Sequence, residues 1–147
     1  MLHLIHPALV HVTVAFLGVG GILEAVGILA RSERAERSGT LLTLIGTASL
    51  LPTVAAGFLA ENTIDVAASA LPWLDRHERF AIILLGVVLC LLVTRAWGHG
   101  RVAASARTIY AAALLLAVAL MLVTAFFGGL LVYGFGVGIT PGGPAVP

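Results

Sequence analysis

The sequence predicts an all-α, polytopic membrane protein, an antiparallel bundle of four transmembrane helices with both termini on the outer, periplasmic side. Three observations lead there. Hydrophobic residues make up 60% of the chain, charged residues 10%, and the mean hydropathy is +1.10. Soluble domains lie nearer half apolar and a quarter charged. Four apolar runs approach or exceed the roughly twenty residues needed to cross about 30 Å of hydrocarbon. Arginine is concentrated in two of the three loops, which sets the orientation.

The 147 residues form one domain, with spans at about 7–30, 40–60, 74–97 and 108–133. Pro7 opens the first span, since the first helical residue needs no N–H donor. His6 then becomes a cap residue. His11 falls one turn inside, stacked with Val14, Ala15, Gly18 and Ile22. Pro52 kinks the second span, where Thr43, Thr47, Ser49 and Thr53 can satisfy freed backbone groups. Trp73 and Trp97 bracket the third span, and Tyr110 and Tyr133 the fourth. Each pair is about 35 Å apart along a helix, as for rings resting at two interfaces. Thr124/Gly128, Ala125/Gly129 and Gly134/Gly138 have the small-residue spacing of closely packed membrane helices. The glycine-rich stretch after Tyr133 reads as irregular.

Arg31, Arg34 and Arg37 occupy the first loop, and Arg95, Arg101 and Arg107 flank or occupy the third. The positive-inside rule puts both loops in the cytoplasm of a multi-pass inner-membrane protein. His3, His6, His11 and His77 then gather near the outer face, and His99 lies inside. The two halves echo each other: His11 precedes Arg31 much as His77 precedes Arg95, which makes the first and third helices counterparts.

Several functions are excluded. The single cysteine, Cys90, cannot form an intramolecular disulfide, a thiolate zinc site, an iron–sulfur cluster or a Cys-x-x-Cys-His haem attachment. A net charge of +1 gives no reason to expect nucleic acid. No basic region precedes the first apolar run, so that run reads as a retained span rather than a leader.

His11 with His77 is the leading constellation. Imidazole nitrogens are good axial ligands for haem iron, and one from each of two helices would make a low-spin b-type centre. His6 is the alternative ligand. Arg76 and Arg79 flank His77 and could meet the propionates. Zinc or copper held by His6, His11 and His77 with Glu61 or Asp65 is a weaker alternative, because His6 and His11 point about 140° apart on a helix. Glu24, the one acid well inside a span, is a candidate for a proton relay, and is read first as a protonated carboxyl hydrogen-bonded to the hydroxyl-rich second helix.

His6-Pro7-Ala8-Leu9-Val10-His11 and the run from Gly128 to Ile139 resemble the opening and closing signatures of a family of bacterial membrane proteins, domain of unknown function 2231. The resemblance covers nearly the whole chain. It implies four helices, an outer histidine before the third (His77) and an acid late in the first (Glu24). Some relatives are joined to Rieske iron–sulfur domains, which implies redox surroundings. The chain departs from the pattern at Val12-Thr13, where Phe-Pro is usual, and at Phe135, where relatives often carry histidine.

The function expected is a small membrane redox subunit, b-type cytochrome-like, with one haem b near the outer face. It would pass electrons to a quinone or a partner subunit. The rival is a cofactor-free structural subunit of a larger respiratory or photosynthetic complex. An accessory or electron-transfer role is favoured over a stand-alone enzyme.

Overall fold

The computed structural model describes residues 2–98 and 102–138, and the side chains from residue 5 onward within the first helix. His99 and the tail beyond Gly138 lie outside the described residues. Four long helices dominate: α1 (Leu2–Ala30), α2 (Glu33–Glu61), α3 (Leu71–Trp97) and α4 (Arg107–Gly129). All four are long and apolar enough to cross a membrane, and no strand occurs among the described residues. Each helix neighbours the next, and α4 closes the ring against α1, which leaves α1 and α3 diagonally opposed.

The first helix starts earlier than the proline rule suggests. It begins at Leu2 and carries Pro7 inside it, so His6 is a helical residue rather than a cap. Near a helix start, a proline forfeits few hydrogen bonds, so the apolar residues before it can still extend the helix. The first loop also shrinks to two residues. Arg31 takes a left-handed φ of 55°, and Ser32 N–H bonds Gly27 O at 2.9 Å, as in a Schellman-type end. Ser32 then caps α2 by accepting from Ala35 N–H, with Glu33 and Glu36 favourably placed in the first turn.

Glycine sets the contact between α1 and α2. A Cβ on Gly20 would strike the backbone of Leu42 and Thr43, one on Gly27 that of Ala35 and Glu36. On Gly39 it would strike Glu24, and on Gly46 Leu17. The two glycine pairs, each seven residues apart, therefore let the backbones touch. The α3/α4 hairpin contributes Leu84, Val88, Leu91, Leu114, Ala117 and Val118 to the buried core. Gly128 and Gly129 differ in role: a Cβ on Gly128 would meet His77, whereas Gly129 faces open space.

One further expectation changes. Tyr110 is not an interfacial ring: it is buried, with its hydroxyl donating to Leu91 O at 3.4 Å. After a π-turn at Leu130–Gly134 the described chain leaves regular helix, with Gly136 and Gly138 at positive φ, and Phe135 lies against Trp73 with ring centres 6.3 Å apart.

The halves are related residue by residue, in a register different from the one the loops suggest. His6/His77, Glu24/Arg95, Glu36/Arg107, Thr53/Thr124 and Gly57/Gly128 are each 71 positions apart. In this register the counterpart of His77 is His6.

Candidate functional site: a histidine pair at the head of the bundle

The ring that faces His77 is that of His6. The imidazole centres are 6.4 Å apart and the rings nearly perpendicular, at 87°. His6 Nδ1 lies 2.8 Å from Thr53 O, and His77 Nδ1 lies 3.0 Å from Thr124 O. A carbonyl oxygen only accepts, so each Nδ1 carries a proton, which leaves Nε2 as the nitrogen of either ring that can offer a lone pair. That is the arrangement found when histidine ligates a metal through Nε2 and is steadied by a backbone carbonyl.

The hairpins build these cradles identically. Thr53 and Thr124 turn their hydroxyls back to Ser49 O and Leu120 O, at 2.6 and 2.8 Å, and present their carbonyls to the histidines. One turn on, Gly57 and Gly128 make room for the rings. A Cβ at either would lie 3.1 Å from Cε1 and 3.3 Å from Nδ1 of its histidine.

Between the four helices at this end lies a cavity of about 490 Å³. Small-molecule sites typically enclose about 300–1,000 Å³. Its walls are mainly apolar, with Leu50, Leu84 and Met121 below and Thr13 beside the two histidines.

The other residues singled out in the sequence are arranged differently. His11 borders the cavity, but it is exposed and its Nδ1 turns back to Pro7 O at 2.6 Å. Arg76 lies over the Trp73 ring, 4.6 Å from its centre, and Arg79 pairs with Asp75 at 2.9 Å. Both arginines are exposed and neither borders the cavity. Glu61 reaches the cavity and Asp65 does not. Among the described residues, no three His, Cys, Asp or Glu side chains converge as a metal-ion site.

Glu24 has a partner beyond the second-helix hydroxyls expected for it. Its Oε1 accepts from Arg95 at 2.7 Å, across the diagonal of the bundle. Arg95 also reaches Glu36 at 3.3 Å, and Arg107 reaches Glu36 at 3.0 Å and Ile28 O at 3.1 Å. One charge from each helix thus meets at the end opposite the histidines. The sequence signal for both clusters was the 71-residue register, which matches like with like at the histidine end and opposite charges at this one.

Fold and site define a helical membrane protein built from two related hairpins, with paired histidines at one end and paired charges at the other. The chain belongs to the family described as "Predicted membrane protein (DUF2231)", which matches residues 2–141. Neither a curated protein nor a solved structure matches the chain significantly.

Proposed function

We propose that this protein is a small membrane redox subunit, b-type cytochrome-like, in which His6 and His77 would hold the iron of one haem. The observation that carries the reading is the spacing of the pair. Two imidazoles that share one metal, each nitrogen about 2 Å from it, can set their ring centres roughly 6 Å apart. The centres here are 6.4 Å apart. Each ring gives its Nδ1–H to a backbone carbonyl, which leaves Nε2 for ligation, and the pair stands over an apolar cavity of about 490 Å³. Haem iron asks the protein for only two ligands, whereas zinc or copper ions usually take three or four.

Positive-inside orientation puts the arginine end in the cytoplasm and the histidines at the outer face of the inner membrane. A single centre there serves electron exchange at one face, with a quinone or with a partner subunit at the same level. When bound, the haem supplies a one-electron couple. The protein's contribution is to fix both imidazoles through backbone carbonyls and to keep water away with apolar walls.

The test is a pyridine haemochrome assay on the full-length protein, purified in detergent from cells making haem normally. One b haem per chain is expected. A colourless, haem-free protein overturns the reading and favours the cofactor-free structural subunit.

A further inference from the structure

The two halves share their backbone plan but not their polarity. Along the α1/α2 contact, Thr13, Thr43, Thr47 and Thr53 are buried, and Ser49 is half-buried. In the 71-residue register, Thr13, Thr43, Thr47 and Ser49 correspond to Leu84, Leu114, Val118 and Leu120. The second hairpin therefore packs the same positions with hydrocarbon. Small side chains suit the close glycine contact of α1 and α2, and the hydroxyls among them also bond one another across it.

They mark out a track. At the cavity end, His6 is held by Thr53 O, Thr53 Oγ1 is 2.9 Å from Thr13 Oγ1, and Thr13 Oγ1 is 3.0 Å from Ser49 Oγ. Further along α2, Thr47 donates to Thr43 O at 2.7 Å. Thr43 lies against the Glu24 carboxyl, yet Glu24 Oε2 and Thr43 Oγ1 are both buried without a hydrogen-bond partner. Two unpartnered polar atoms at one buried place are where a water or an added proton belongs. The groups around Glu24 are Arg95 from α3, Glu36, Thr40 and Thr43 from α2, and Tyr110 from α4. Side-chain exposure rises from 1% at Glu24 through 11% at Arg95 and 13% at Glu36 to 31% at Arg107, so the cluster leads out to water. At the far end, exposed Glu61 borders the cavity.

We propose that the α1/α2 interface is a proton route joining water at the arginine end to the histidine cavity. Glu24 is its entry carboxylate. Thr43, Thr47, Ser49, Thr13 and Thr53 are its hydroxyl relays, with water filling the gaps between them. Each transfer breaks one O–H bond on the donor and forms one on the acceptor. Hydroxyls suit this work because each can donate and accept, and each can rotate. One proton enters from water for each that leaves into the cavity, and no electron moves. The inference therefore does not depend on what the cavity holds.

The experiment uses the full chain in phosphatidylcholine/phosphatidylglycerol liposomes containing a trapped pH dye. A valinomycin-set potassium potential drives the flux. Wild-type protein should carry protons at least tenfold faster than the Glu24→Gln variant. The Thr43→Val/Ser49→Ala double variant, which leaves the ion pairs in place and is nearly isosteric, should fall to the same low rate. Leu114→Val, at the counterpart of Thr43, should match the wild type. Wild-type flux equal to that of empty liposomes overturns the proposal. So does a Thr43→Val/Ser49→Ala protein that conducts like wild type, and this second criterion holds even if Glu24→Gln fails to fold.

Discussion

Glu24 and Arg95 occupy equivalent positions of the two hairpins, carry opposite charges and meet at 2.7 Å across the bundle diagonal. The same holds for Glu36 and Arg107, at 3.0 Å. Two copies of either half would bring like charges together at these points, so the cluster joins unlike halves. Desolvating the pair opposes its Coulomb attraction, and its main effect is that neither partner tolerates losing the other.

That asymmetry gives a prediction. Arg95→Met should destabilise the protein by about 3–5 kcal/mol, because it leaves a buried carboxylate uncompensated. The Arg95→Met/Glu24→Gln double variant should recover much of the loss. Thermal unfolding in detergent reads both, and additive effects would show that the two side chains are not coupled.

The glycines of the α1/α2 contact should be intolerant. Gly39→Ala or Gly46→Ala forces a methyl group into partner backbone. Overpacking of this kind costs about 1–3 kcal/mol, or prevents the hairpin from closing. Gly86→Ala meets no atom within 4 Å and should be neutral. Equal melting temperatures for the three variants would contradict the close contact.

The histidine cradles predict a narrower effect. Gly57→Leu and Gly128→Leu should each push one imidazole off its carbonyl, since even a Cβ would sit 3.1 Å from the ring. Haem content should fall in both, while helicity by circular dichroism is kept. Full haem occupancy in either variant would show that the rings are not held as described.

The hydropathy of the chain made the four helices legible, because hydrocarbon leaves the backbone few alternatives to helix. The site was legible only in part. Reading Pro7 as the first helical residue put His6 outside the helix and drew His11 into the pair. Loop arginines suggested matching His11 with His77, whereas the register that places Thr53 with Thr124 and Gly57 with Gly128 identifies His6. The second-helix hydroxyls beside Glu24 were legible, but its ion-pair partner Arg95, 71 residues away, was not. Arg95 looked like the start of a loop, yet it lies in the last turn of α3 and points into the bundle.

Orientation is open to direct measurement. In a Cys90→Ala background, cysteines at exposed Ser32 or Ser105 should resist an impermeant thiol reagent in intact cells, and one at exposed Ser69 should react. The opposite pattern would put the histidine end in the cytoplasm.

The dithionite-reduced minus oxidised spectrum of the wild type and three histidine variants tests the central claim most directly. Wild-type protein should show the sharp α and β bands of a six-coordinate b haem. His6→Ala and His77→Ala should each remove or convert them, since losing one axial ligand opens a position on the iron. His11→Ala should retain them, because that ring is exposed and bonded to Pro7 O. A wild type without these bands, or a spectrum lost in His11→Ala and kept in His6→Ala, would contradict the account.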